Sequence, residues 1–130
     1  MKTSLLITLS VVSLAALSFY IGTRAPSQND AASQPVENVT TVSGKQIIEI
    51  HAKGGYQPRK SSARAGIPTV LRFVTDGTFD CSSTVRIPSM NISQTLPQSG
   101  ATDIALNSPA AGALRGTCGM GMYQFSIDFL

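Results

Sequence analysis

From Lys45 to the C-terminus, apolar and polar residues alternate in short runs, the period of half-buried β-strands. Gln46 to Ala52 carries Ile47, Ile48 and Ile50, and Gly54-Gly55 breaks the run ahead of Tyr56 and Pro58. Lys60 to Arg64 is a short strand candidate, and Ala65-Gly66-Ile67-Pro68 reads as a turn. Thr69 to Thr75 has the strongest strand signal. It is β-branched and aromatic, with Leu71 and Phe73 on one face and Val70, Arg72 and Val74 on the other. Asp76-Gly77 turns the chain. Ser83 to Ile87 is a further strand, stopped by Pro88. Thr102 to Leu106 and Ala113 to Thr117 follow, separated by a turn over Asn107 to Gly112. Tyr123 to Leu130 closes the chain with Phe125, Ile127 and Phe129 alternating against polar partners. About seven short strands with closely spaced turn signals and no helical period predict an antiparallel sandwich or barrel.

The pattern is different before Lys45. Ser4 to Ile21 is apolar and uncharged behind Lys2, so residues 1–22 read as a signal peptide or a membrane anchor. Phe19, Tyr20 and Ile21 keep the end of this run bulky, without a small-residue cleavage site, which favours an uncleaved anchor. Residues 23–44 are polar and rich in Ser, Ala, Asn, Gln, Thr and Pro, and are expected to be a disordered linker. The organisation expected is therefore anchor 1–22, linker 23–44 and one β domain over 45–130, held on the periplasmic or extracytoplasmic side of the plasma membrane. Asn38-Val-Thr and Asn91-Ile-Ser match the glycosylation pattern, which has meaning only in a eukaryotic source.

Composition narrows the function. The formal net charge of +3 is small and the basic residues are scattered, without interleaved aromatics, so nucleic acid is not an expected partner. The chain has one histidine, His51, and no G-x-S-x-G elbow, phosphate loop or carboxylate pair at a plausible cleft, so no enzymatic activity is expected. His51 sits alone at the end of a strand, as a solvated side chain would.

Sulfur is the chemistry that stands out. Cys118-Gly119-Met120-Gly121-Met122 places three sulfur side chains within five residues, separated by glycines that let the backbone curl. Thiolate and thioether are soft donors that select copper(I). Core filling is the alternative use of Met120 and Met122. Cys81 lies 37 positions before Cys118 and immediately ahead of a strand, where a sandwich can bring it to the same pole. Cys81, Cys118, Met120 and Met122 then form a candidate copper(I) site. A Cys81–Cys118 disulfide is the competing arrangement, common in exported domains. Asp80, next to Cys81, either raises its thiol pKa by like-charge repulsion or serves as a turn residue.

Four segments together resemble the cupredoxin-like domain family. They are Gly54-Gly55-Tyr56-Gln57-Pro58, Ala65 to Phe73, Cys81-Ser82-Ser83-Thr84-Val85-Arg86-Ile87-Pro88, and Cys118-Gly119-Met120-Gly121-Met122. The resemblance covers roughly residues 46–130, and is nearest to small exported members or those fused to copper-transport proteins. It implies a Greek-key β-sandwich of seven to eight strands. It also implies that Cys81 stands where blue-copper members have a first histidine, that Cys118 stands at their cysteine, and that Met120 or Met122 replaces the second histidine and the axial methionine. Tyr123-Gln124-Phe125 lacks the lysine-glycine frequent at that point of the family. Sulfur in place of both imidazoles favours copper(I) handling, meaning capture, transfer or buffering, with a copper transporter or acceptor protein as partner. Electron transfer or an oxidase-accessory role is a second reading, and a metal-free interaction domain with a disulfide is a third.

Overall fold

The computed structural model describes residues 37–130, which form two five-stranded sheets packed face to face. One sheet runs β1 (Val39–Val42), β2 (Lys45–Ala52), β5 (Thr69–Asp76), β8 (Ser99–Asn107), with the two-residue β3 (Tyr56–Gln57) paired to β2. The other runs β4 (Lys60–Ala63), β10 (Gln124–Phe129), β9 (Gly112–Cys118), β6 (Thr84–Ile87), β7 (Ile92–Thr95). Two pairings are parallel, β2 with β5 and β4 with β10; the others are antiparallel. This is the Greek-key sandwich expected, with ten strand segments where seven to eight were expected. Among the described residues no helix is long and apolar enough to cross a membrane. The hydrophobic helix expected over 1–22 lies outside the described residues.

The additional strands are β1, β3 and β7, which carry little apolar alternation to announce them. β1 begins at Val39, inside the 23–44 span expected to be disordered linker. The cause is local. Val39-Thr40-Thr41-Val42 is β-branched throughout, and Ser43 (φ 50°) and Gly44 (φ 74°) make the left-handed two-residue turn that suits a hairpin onto β2. Just upstream, the Asn38 side chain donates to Glu49 O on β2 (2.9 Å) and to Ser61 Oγ on β4 (2.8 Å), tying one sheet to the other.

The core follows the alternation. Ile48, Ile50, Leu71, Phe73 and Leu106 meet Val85, Ile87, Phe125, Ile127 and Phe129 between the sheets. The rings of Tyr56, Phe73 and Phe125 form an edge-to-face triangle with centroids 5.1–5.8 Å apart. Phe125 fits because its cross-strand partner on β9 is Gly116; a Cβ there would stand 2.1 Å from Phe125 Cζ. Gln46, a buried polar residue, is fully engaged: it donates to Arg64 O and Thr69 Oγ1 and accepts from Arg64 N.

Candidate metal centre

Three connections gather at one pole of the sandwich: residues 53–55 after β2, 77–83 after β5, and 119–123 between β9 and β10. Asp80 organises the second. It caps the 3₁₀ turn Cys81–Ser83, accepting from Ser82 N (2.7 Å) and Ser82 Oγ with one carboxylate oxygen. Its other oxygen accepts from Gly54 N (2.8 Å), which joins the first connection to the second. The Ser82 hydrogen bonds lower the Asp80 pKa, with partial burial opposing them. The carboxylate is thus a turn residue engaged with Ser82 and Gly54.

Tyr56 supports this turn from below. Its hydroxyl donates to Thr84 O (3.0 Å), and burial raises its pKa, with the Asp80 charge adding to the effect. The ring belongs to the aromatic triangle, so the segment carrying Cys81 rests directly on the core.

Cys118 ends β9 and is fully buried beside its strand partner Val85. Cys81 is half-buried, and the two are joined as a disulfide with Cα atoms 5.6 Å apart. Of the two arrangements the sequence left open, this is the oxidised one. The sulfurs also accept backbone hydrogen bonds: Met120 N donates to Cys81 Sγ (3.4 Å) and Tyr123 N donates to Cys118 Sγ (3.4 Å). The loop between them is tight. Gly121 N donates to Cys118 O (2.9 Å), Cys118 N donates to Tyr123 O (3.0 Å), and Gly121 takes φ +73°, the left-handed region that glycine enters without strain.

Met120 and Met122 project from this loop into solvent, 75% and 65% exposed. They are therefore not core filler. Phe79, in the adjoining connection, is likewise 75% exposed. The loop holds both cysteine sulfurs and the two thioethers at one end of the molecule. His51 is elsewhere, on the solvent face of β2, with Nε2 3.3 Å from Glu49 Oε1. Among the described residues, no three His, Cys, Asp or Glu side chains cluster as a metal site. The candidate donors are instead a cysteine pair and two methionines, a wholly soft set suited to a monovalent copper ion.

The family model for the cupredoxin-like domain matches residues 11–127. The chain belongs to this family. Solved cupredoxin structures share its fold. The metal-binding domain of the Streptococcus pneumoniae Cu(I)-exporting P-type ATPase CopA, solved with Cu(I), superposes with a TM-score of 0.65 at 23% identity, covering 71% of this chain and 92% of that one. A copper-binding protein solved in its apo form gives 0.65 at 21% identity, covering 71% and 94%. Auracyanin A, a "blue" copper protein of Chloroflexus aurantiacus, gives 0.53 at 17% identity, covering 67% and 100%. None of the curated proteins matches the chain. In this cupredoxin-like domain the sequence singles out the four sulfur residues and offers Asp80 as a turn residue, but does not show the Gly54–Asp80 bond, the Tyr56–Thr84 contact or the Met120 amide bond to Cys81. Those contacts join residues far apart in the chain, and no local pattern encodes them.

Proposed function

We propose that this chain is an extracytoplasmic copper(I)-handling protein, tethered at the membrane by its N-terminal segment, that captures, buffers or passes on the ion through Cys81, Cys118, Met120 and Met122. The observation that carries the reading is the convergence at one pole of the two cysteine sulfurs and the loop bearing the two exposed methionines. Three features support copper(I) as cargo. The donors are all sulfur, and amide hydrogen bonds to cysteine sulfur stabilise a thiolate without competing for the metal. Exposed thioethers give an incoming ion or acceptor direct access. The structural likeness to the Cu(I)-loaded domain of an exporting ATPase agrees with a role beside a transporter or acceptor.

Binding requires the reduced pair. Two electrons and two protons from a thiol reductant convert the disulfide to two cysteines, and the ion displaces the protons. The decisive experiment titrates the reduced full-length chain in detergent with copper(I) against a competing chelator and counts reactive thiols before and after. Tight binding with both thiols protected is expected, and the oxidised chain is expected to bind far more weakly. No binding by the fully reduced chain would leave the third reading, a metal-free interaction domain held by the Cys81–Cys118 disulfide, which the observed crosslink favours.

A further inference from the structure

The solvent faces of the two sheets differ in how they treat charge. On the β2–β5–β8 sheet, Glu49, Arg72 and Asp103 lie side by side in one cross-strand row, and Arg72 makes a two-point ion pair with Asp103 (2.7 and 2.9 Å). On the β4–β10–β9–β6 sheet the corresponding row reads Lys60, Ser126, Arg115, and Arg86 stands in the next row beside Thr117. With Arg59 just before β4 this face holds four cations, and its strands carry one carboxylate, Asp128. Among the described residues none of the four cations makes an ion pair.

The small Ser126 between Lys60 and Arg115 leaves a depression. It belongs to a groove of about 630 Å³ lined by Arg59, Lys60, Arg115, Ser126 and Asp128, and by Met122 of the sulfur loop. A basic groove therefore opens directly onto one of the proposed copper ligands. The chain's own residues 1–36 are a poor match for it, with Asp30 as their sole carboxylate beside Lys2 and Arg24.

We infer that this groove docks an acidic polypeptide segment of the protein that exchanges copper(I) with the sulfur loop. The inference rests on the copper(I) reading for its consequence, though not for the docking itself. Carboxylates seated on Lys60 and Arg115 would hold the partner's own soft ligand against Met122, and like-charged surfaces would be turned away.

The test uses the reduced full-length chain in zwitterionic micelles and two synthetic peptides. One has a run of glutamates ahead of a cysteine pair, and the other has glutamine in place of each glutamate. Without copper, the acidic peptide is expected to perturb the amide signals of Lys60, Arg115 and Ser126, and the glutamine peptide is not. With copper(I) loaded, transfer to the acidic peptide is expected to be about tenfold faster. That advantage should vanish near 1 M salt, where the screening length falls to ~3 Å. Lys60→Gln with Arg115→Gln should abolish both the perturbation and the advantage while copper affinity holds. Lys45→Gln with Arg64→Gln, which removes the same charge elsewhere, should preserve them.

Equal perturbation by both peptides, or an advantage that survives the Lys60 and Arg115 changes, overturns the docking groove. So does perturbation of this face by phosphatidylglycerol micelles but not by the acidic peptide, which would make it a membrane-resting face. A chain that binds the acidic peptide but no copper(I) would sink the copper reading and leave the docking site standing.

Discussion

The Met120 amide donates to Cys81 Sγ across 39 positions of sequence, so the loop that carries the methionines is fastened to the first cysteine as well as to the second. Met120 itself is exposed and its side chain contributes little to the fold. Met120→Ala and Met122→Ala, singly or together, are expected to change stability by less than about 0.5 kcal/mol. Copper(I) affinity of the double variant should fall at least about tenfold in chelator competition, the scale of losing one ligand interaction worth ~1.4 kcal/mol. Unchanged affinity in the double variant would remove both thioethers from the site.

The cysteines have a separate structural effect in the oxidised state. A crosslink spanning 37 positions restricts the unfolded chain, and loop-closure entropy puts its effect at about 4 kcal/mol. Oxidised wild type should therefore resist denaturant more than the reduced protein. Cys118→Ser should match the reduced form under both conditions and bind no copper(I). Denaturation with and without reductant, followed by the copper titration on the same variant, reads both effects.

Gly116 is set by Phe125 rather than by its own backbone. An added Cβ would lie 2.1 Å from the ring, and the ring is locked in the triangle with Tyr56 and Phe73. Gly116→Ala is expected to destabilise by at least about 2 kcal/mol through overpacking. Combining it with Phe125→Leu should recover part of the loss, a non-additivity that a double-mutant cycle in denaturant would measure.

Asn38 draws the segment before β1 into the domain. Asn38→Ala removes its bonds to Glu49 O and Ser61 Oγ and should cost about 1–2 kcal/mol. Amide exchange of β1 should rise more than that of β5. Equal exchange across both strands would show that the anchor acts on the whole sandwich.

The Arg72–Asp103 pair gives a pH dependence with a definite sign. The Arg72 hydrogen bonds, followed by its charge, lower the Asp103 pKa. A depressed folded value means the stabilisation is fully present above the unfolded carboxylate value near ~4 and is lost as pH falls through the lower folded value. Stability should decline on the acid side, and Asp103→Asn should flatten that decline while leaving the neutral-to-alkaline range parallel to wild type. Thermal melts across acidic buffers check it.

Much of this protein is decided locally. The period of two along Gln46–Ala52, Thr69–Thr75 and Tyr123–Leu130 specifies strands because alternate side chains must point into one core, so the all-β class and most inward-facing residues follow from the chain alone. The sulfur cluster Cys118 to Met122 is legible for the same reason, since its spacing is contained in five residues. Short strands with little buried surface, such as β1 and β7, have almost no pattern to read, and β3 buries Tyr56 but is only two residues long. The partnership of Cys81 with Cys118, the Tyr56–Thr84 support under the turn, and the Lys60–Ser126–Arg115 row depend on which strands lie side by side and in what register. Register is a property of two packed faces meeting, with every pairing conditioned on the others, and only the tertiary structure supplies it.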